Sequence, residues 1–107
     1  MRAYEMRVYT LRTKEALEFY ASTVYPRHLD NFGLFGVEAH RLWTKKDDGT
    51  HRIFVLLSYA EGEDPGVVAQ RYIQSPEAAN DARGFDAADI LGVESTILVP
   101  SPSSPLR

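Results

Sequence analysis

The sequence predicts an α+β fold of the ferredoxin-like type, with the order β-α-β-β-α-β and an antiparallel four-stranded sheet. Two observations predict it. Strand-like and helical segments follow one another in this order, and the third strand-like segment contains the apolar run IFVLL at residues 53–57. A strand without polar alternation is typical of a position buried on both faces. We therefore expect strands one and three in the centre of the sheet and strands two and four at its edges.

The first half of the chain predicts one helix between two strands. Residues 3–11 are rich in β-forming side chains and predict the first strand. Thr13 is a suitable N-cap for a helix with apolar residues at spacings of three and four, which we expect to end at Gly33. Pro26 lies in the body of this helix and removes a backbone hydrogen bond at a cost of roughly 3 kcal/mol, so a bend is expected there. The second strand is expected at residues 36–45.

The second half of the chain predicts two more strands and the second helix. The Asp-Gly step within residues 47–50 predicts a hairpin turn into a third strand at residues 51–60. Asp64 is the expected N-cap of the second helix, and Ser75 that of a short helical turn. Residues 92–100 predict the last strand.

Length and composition fit one domain. The chain has 107 residues, of which 44% are hydrophobic, enough to fill a single core. We expect this domain at residues 1–99 and an extended or disordered Pro- and Ser-rich tail at residues 100–107. The net charge of −3 without a basic stripe argues against nucleic acid as a partner. There is no cysteine, signal peptide or long apolar run, so we expect a cytoplasmic protein without a membrane partner.

The apolar third strand also predicts self-association. One face of the sheet is expected to pack against the helices, and the other face needs a cover, because an exposed apolar sheet favours aggregation. A second copy of the chain would provide this cover. We therefore expect a homodimer that associates through its sheets.

Three short pieces of the sequence carry a resemblance to a known family. They are Tyr-Glu-Met-Arg at residues 4–7, the helix-Gly-strand-Trp arrangement around Gly33 and Trp43, and Ser-Pro-Glu at residues 75–77. With the segments around them, from Tyr4 to Val99, they resemble the NIPSNAP family, a branch of the dimeric α/β-barrel superfamily. The resemblance implies a dimeric α/β barrel that holds a ligand between the helices and the sheet of each protomer. None of the pieces is a catalytic signature.

The first strand contains one candidate site. Glu5, Arg7 and Tyr9 share a strand face, and Glu5 and Arg7 are about 7 Å apart along it. One interpretation is a structural ion pair at the dimer face or the barrel rim. The other is a binding site in which Arg7 holds an anionic group of the ligand and Glu5 positions the arginine.

The bent helix contains the candidate catalytic residues. His28 lies on its apolar stripe with Tyr20, and Tyr25 lies at the margin of this stripe. The bend at Pro26 would open a gap over the sheet, lined by Tyr25 and His28. Because a histidine accepts or donates a proton near neutral pH, these two residues are the candidate catalytic residues. The alternative is that His28 caps carbonyl groups at the helix C-terminus.

Four further residues complete the assessment of candidate sites. Tyr59 and Tyr72 are candidate ligand-binding residues, with simple packing as the alternative. His40 and Trp43 are three residues apart in the second strand, so we expect them on opposite faces. The histidines lack metal-ligand spacing, and no metal or cofactor is predicted. Haem would need an axial ligand, a position that only His28 could fill.

These features lead to three functional hypotheses. The first is a small-molecule pocket protein, including a cofactor-independent tailoring enzyme of the monooxygenase, isomerase or cyclase kind. The resemblance to the dimeric α/β barrels implies an aromatic or polyketide-like substrate for it. The second hypothesis is a non-catalytic ligand-binding or accessory protein, and the third is a haem-binding protein.

Overall fold

The computed structural model describes residues 2–46 and 49–107. The hairpin turn predicted at residues 47–50 therefore lies in part outside the described residues. Four strands and four α-helices form the fold; they are β1 (Tyr4–Leu11), α1 (Lys14–Phe19), α2 (Tyr25–Phe32), β2 (Val37–Thr44), β3 (Arg52–Tyr59), α3 (Pro65–Ile73), α4 (Pro76–Asp81) and β4 (Ile90–Leu98).

The sheet is antiparallel and has the strand order β2-β3-β1-β4. This order confirms the predicted α+β, ferredoxin-like fold with β1 and β3 in the centre. In the register of the central strands, Arg7 lies opposite Val55 on one side and Ser95 on the other. Side chains that share a face with Arg7 therefore come from β1, β3 and β4, all directed toward the helices.

The core fills the space between the helices and this inner face of the sheet. Ile53, Val55 and Leu57 of β3 are fully buried there, against the aromatic and aliphatic side chains of the bent helix. Phe54 and Leu56 point to the outer face and are only half-buried. Burial of β3 on both faces is therefore not complete: on the outer face Ser58 is buried, whereas Phe54 and Leu56 have no helix of the described residues packed over them.

The bend expected at Pro26 is a change of helix type. A π-helical turn, Tyr20–Val24, separates α1 from α2, and the N–H of Tyr25 donates to the carbonyl of Tyr20. Pro26 has no N–H and its ring does not tolerate a regular α-helical turn before it. The π-helical turn interrupts the regular α-helical hydrogen-bond pattern directly before the turn that contains Pro26. As a result, Tyr20, Val24, Tyr25 and His28 all lie buried on the side that faces the sheet.

The α-helix ends at Gly33, as the sequence predicts, but the chain reverses its direction later. Gly33 keeps a right-handed helical conformation and opens a short 3₁₀ turn, Gly33–Phe35. The left-handed residue is Gly36, with a φ of 74°. The positive φ that a glycine after a helix often adopts is therefore found at Gly36, because the 3₁₀ turn moves the reversal of direction to the next glycine.

A β-bulge in β2 corrects the prediction for His40 and Trp43. The register with β3 shifts between Ala39 and Arg41, so His40 is the extra residue. His40 bonds to Ser58 on the outer face, and Trp43 lies opposite Phe54 on the same face. The two residues therefore share a face, because a bulge reverses the alternation on which the prediction was based.

The end of the chain folds back toward its beginning. Residues 99–107 form no helix or strand, and the carbonyl of Arg107 accepts hydrogen bonds from the guanidinium of Arg2 at 2.7 and 3.3 Å. Among the described residues, no helix has the length and apolar character needed to cross a bilayer.

Candidate functional site

A cavity of about 920 Å³ lies between the inner face of the sheet and the helices. Its volume is within the range of ordinary small-molecule sites. Three groups of residues line it. Those with polar or ionisable side chains are Glu5, Arg7, Tyr9, Tyr20, His28, Tyr59, Asp64, Tyr72 and Ser95. The larger apolar ones are Phe32, Val37, Leu57, Val68, Ile73, Ile90, Val93 and Ile97, and Pro65, Gly66 and Ala69 of α3 complete the wall.

The first polar group, here called the β1 cluster, consists of Glu5, Arg7, Tyr9, Tyr59 and Ser95. Arg7 donates to both carboxylate oxygens of Glu5, at 2.9 and 3.3 Å, and to the hydroxyls of Tyr9 and Tyr59, at 3.0 and 3.3 Å. The hydroxyls of Tyr59 and Ser95 also donate to Glu5. The carboxylate and the guanidinium thus satisfy each other, with three hydroxyl groups around them.

These hydrogen bonds keep the ion pair charged in a buried place. Burial alone would raise the pKa of Glu5, but the bonds from Arg7, Ser95 and Tyr59 outweigh it and lower the pKa below the usual carboxyl value. Burial would likewise lower the pKa of Arg7, yet Tyr9 and Glu5 raise it. Glu5 is therefore a carboxylate and Arg7 a guanidinium at neutral pH.

The second polar group, here called the helix cluster, is formed by Tyr20, His28, Asn31, Tyr72 and Asp81. His28 Nδ1 lies 3.2 Å from Asp81 Oδ2 and also bonds to the Tyr72 hydroxyl. That hydroxyl donates to the same Asp81 oxygen at 2.5 Å, and Asn31 donates to the other at 2.7 Å. On the far side of the ring, His28 Nε2 is 3.5 Å from the Tyr20 hydroxyl. Three helices, α2, α3 and α4, therefore contribute to one buried group.

The partners of His28 determine where its proton lies. The Tyr72 hydroxyl donates its own proton to Asp81, so the Tyr72 and Asp81 oxygens can only accept a hydrogen bond from His28. The proton of the neutral ring is therefore assigned to Nδ1, which donates to them. Burial lowers the pKa of His28 below its ordinary value; Asp81 opposes this shift, and Arg7 adds to it. The ring is thus neutral at pH 7, with its free lone pair on Nε2, for which the long contact to Tyr20 is the only hydrogen-bond contact among the described residues.

The neighbouring tyrosines are hydrogen-bond donors rather than phenolates. Burial raises the pKa of Tyr20, Tyr59 and Tyr72 above the ordinary value, and in Tyr59 and Tyr72 the adjacent carboxylate raises it further. Each of these hydroxyls therefore keeps its proton at neutral pH.

Local sequence places Asp81 beside His28. Ser75 caps α4 by accepting the N–H of Ala78, and Pro76 occupies the first turn, which together start the helix. Arg27 then donates to the carbonyl groups of Asp81 and Arg83, at 3.1 and 2.8 Å. This arginine ties the end of α4 to α2 and holds the fully buried Asp81 side chain against the histidine.

Most residues predicted from the sequence meet at this cavity. Glu5, Arg7 and Tyr9 come together, as do His28, Tyr20 and Tyr72, and Tyr59 joins the first group; all seven line the cavity. Sequence reasoning missed Asp81, Asn31 and Ser95. Asp81 lies 53 residues from His28, in a polar helix whose pattern gives no sign that one carboxylate points inward.

Tyr25 is placed differently from the other predicted residues. It is fully buried and does not line the cavity. Its ring packs edge-on against His28 and Tyr9, with centroid distances of 5.1 and 6.1 Å. The Tyr25 hydroxyl has no hydrogen-bond partner among the described residues. Tyr25 thus lies behind the two clusters rather than between them and a ligand.

Fold and site together define a class of protein. The chain is a ferredoxin-like α+β domain with a cavity of small-molecule size between its sheet and its helices. In the described parts of the chain, no three metal-ligating side chains lie together.

The comparisons with known proteins identify the family. The NIPSNAP family model matches residues 4–105, and the chain belongs to the NIPSNAP family. This match also extends into the segment that we predicted to be a tail. No curated protein matches the sequence.

Solved structures of the same family have the same fold. A NIPSNAP family protein from Agrobacterium tumefaciens is 17% identical, with 100% of each chain covered and a TM-score of 0.75. A second one from that organism, of unknown function, is 19% identical over 99% of this chain and 94% of its own, with a TM-score of 0.76. An uncharacterized NIPSNAP domain protein from Burkholderia xenovorans is 16% identical over 96% and 98%, with a TM-score of 0.75. At such identities the likeness shows the fold alone.

Proposed function

We propose that this protein binds a small carbonyl-bearing molecule in the cavity and that His28 removes a proton from it. The reaction would be that of a cofactor-independent tailoring enzyme acting on an aromatic or polyketide-like substrate. One observation carries the proposal: a neutral histidine lines the cavity, with Nδ1 bonded to Asp81 and Tyr72 and with Nε2 left for a ligand. A histidine oriented in this way by a carboxylate is a general base.

The chemistry follows from the groups that the cavity offers. His28 Nε2 takes a proton from a carbon next to the carbonyl group, and the electron pair of that C–H bond moves to the carbonyl oxygen. Tyr9 accepts a hydrogen bond from Arg7, which polarises its own O–H for donation to the resulting enolate oxygen. Return of the proton to the same carbon or to another one completes an exchange or an isomerisation.

The ring contacts support an aromatic or conjugated substrate. Tyr9, Tyr20, Phe32 and Tyr72 all line the cavity, and Tyr9 and Tyr20 lie in contact with centroids 5.2 Å apart. Tilted and edge-to-face arrangements of this kind extend to a further ring at a gain of about 0.5–1.5 kcal/mol per pair.

The test is proton exchange on phenylacetone in D₂O, followed by NMR. The wild-type protein should accelerate deuterium incorporation next to the carbonyl group, and His28→Leu should reduce this acceleration by about tenfold or more. His40→Leu is the matched control, since His40 lies on the outer face. An equal rate with His28→Leu, or no acceleration by the wild type, would contradict the proposed catalysis.

A non-catalytic binding protein is the second candidate, and the β1 cluster favours it. Glu5 and Arg7 already satisfy each other, so this part of the cavity can hold a ligand without taking part in a reaction. Binding of phenylacetone without exchange would support this candidate. Haem, the third hypothesis, would need His28 Nε2 as the axial ligand of its iron, and no observation favours a porphyrin over a smaller organic ligand in this cavity.

Homodimer formation through the sheets is part of the same proposal. On the outer face, Met6, Val8, Phe54 and Leu56 are half-buried and Trp43 is exposed, a pattern that a second copy would cover. Light scattering at micromolar concentration should therefore give twice the chain mass. A monodisperse mass near 12.1 kDa would contradict dimerisation.

A further inference from the structure

The cavity has an unusual distribution of polar and apolar side chains. Apart from Asp64, its charged and histidine side chains lie at the buried end of the cavity, here called the closed end, where Glu5 is 4% exposed and His28 is 9% exposed. Its most exposed large side chains are apolar: Ile73 is 65% exposed and Ile97 is 52% exposed. Protein surfaces normally have the opposite arrangement, with charged groups in water and aliphatic groups inside.

The apolar mouth is continuous with the β1 cluster. On the inner face of β4, Val93 and Ile97 lie on either side of Ser95, directly opposite Tyr9 and Glu5. Since β4 is an edge strand, its inner face is not covered as the central strands are, and Val93 is also exposed. Ile73, the last residue of α3, completes this mouth.

The closed end offers hydrogen bonds without an unpaired cation. Arg7 is paired with Glu5, and His28 is neutral and next to Asp81. Among the described lining residues, a carboxylate or phosphate on the ligand would therefore meet the Glu5 carboxylate and no free positive charge, with Asp81 buried behind the histidine. The charged residue nearer to the mouth, Asp64, accepts the N–H of Val67 as the N-cap of α3.

From this distribution we infer that the ligand, beyond the carbonyl-bearing and conjugated part that the rings contact, also carries an aliphatic chain, so that it is an amphipathic ketone or acyl compound with one uncharged polar head. The carbonyl head lies at the closed end, between Tyr9 and His28. The chain leaves the cavity through the mouth formed by Ile73, Val93 and Ile97. This inference rests on the proposed function for the position of the carbonyl group, and it adds the direction and the chemical nature of the rest of the ligand.

The test is the affinity of a series of methyl ketones from pentan-2-one to nonan-2-one, measured by calorimetry. Each added methylene should tighten binding about fourfold, the ratio that corresponds to about 0.8 kcal/mol per buried CH₂. In the double variant Val93→Thr/Ile97→Thr, which keeps the β-branched shape, the gain per methylene should fall to less than twofold.

Leu91→Thr is the matched control, since Leu91 is an exposed apolar residue of the same strand that does not line the cavity. It should retain the full dependence on chain length. Affinity that is independent of chain length in the wild type, or no binding of any ketone, would overturn the inference. So would an unchanged dependence in the double variant, and a loss of dimer in light scattering by the same variant would identify these residues as a surface for a second copy. Phenylacetone exchange judges the catalytic proposal separately, because these affinities do not require a reaction.

Discussion

The two polar clusters of the cavity differ in what they leave unsatisfied. In the β1 cluster, a carboxylate and a guanidinium bind each other and three hydroxyls. In the helix cluster, a carboxylate binds one end of a histidine and leaves the other end with a single long contact. A closed group of this kind stabilises a structure and shapes a cavity, whereas an open ring nitrogen is available for proton transfer. The comparison therefore assigns proton transfer to the second cluster, whereas the first supports the cavity and contributes only the Tyr9 hydroxyl to the proposed chemistry.

The largest effect is expected from breaking the closed cluster. Glu5→Gln should lower the free energy of unfolding by about 3 kcal/mol, because Arg7 would remain buried without its counter-charge. Denaturant titration measures this change. Glu38→Gln is the control, since the Arg2–Glu38 pair is exposed and its loss should cost less than about 1 kcal/mol. The double variant Glu5→Leu/Arg7→Leu removes both charges and should recover most of the lost free energy of unfolding. If Glu5→Gln costs as little as Glu38→Gln, the β1 cluster does not stabilise the fold.

The next effect concerns the open cluster. Asp81→Asn keeps the shape of the side chain but can donate an N–H to His28 Nδ1, which would move the ring proton to Nε2. The base is then lost, and phenylacetone exchange should fall by about tenfold or more. NMR of the ring nitrogens should show the altered tautomer. Asp89→Asn, at the exposed pair with Arg12, should change neither quantity. A tautomer change without a loss of exchange would remove His28 from the mechanism.

A smaller effect is the pH dependence of the free energy of unfolding, which differs between the two clusters. The pKa of His28 is lowered in the folded protein, so below its ordinary value of 6.5 the unfolded chain takes up a proton that the folded chain does not. Stability should therefore fall as the pH drops below that value, by at most about 1.4 kcal/mol per pH unit. His28→Gln should remove this part of the slope, and His40→Gln should not. The pKa of Glu5 is also lowered, so its contribution is lost only at lower pH, below the ordinary carboxyl value of 4.5.

The two clusters also differ in how far the sequence predicts them. Glu5, Arg7 and Tyr9 are two residues apart in one strand, so the alternation of a strand brings them together without knowledge of the rest of the fold. The helix cluster depends on contacts between residues far apart in the chain. His28 and Tyr20 share a helix and were found, but Asp81 reaches His28 only through the packing of α4 on α2. Neither local propensity nor periodicity contains that information.

Two local irregularities mark further limits of prediction. The sequence indicated a bend at Pro26, yet it could not show that a π-helical turn would bring Tyr25 fully into the core. Likewise, the alternation in β2 predicted opposite faces for His40 and Trp43, and one extra residue in the strand reversed the result. In both places the element was predicted correctly, and the direction of its side chains depended on a single inserted residue.

The smallest effect is expected at Tyr25, which lies behind both clusters. Its hydroxyl is buried and has no hydrogen-bond partner among the described residues, so Tyr25→Phe removes a polar atom that gains nothing from burial. Stability should stay the same or rise by up to about 1 kcal/mol, and phenylacetone exchange should stay within about twofold of the wild type. Tyr20→Phe is the matched comparison: its hydroxyl lines the cavity 3.5 Å from His28 Nε2, so exchange should change there. If Tyr25→Phe instead lowers exchange tenfold while the protein stays folded, the catalytic role predicted for Tyr25 from the sequence would stand, and the division between a supporting and a reactive cluster would have to include this residue.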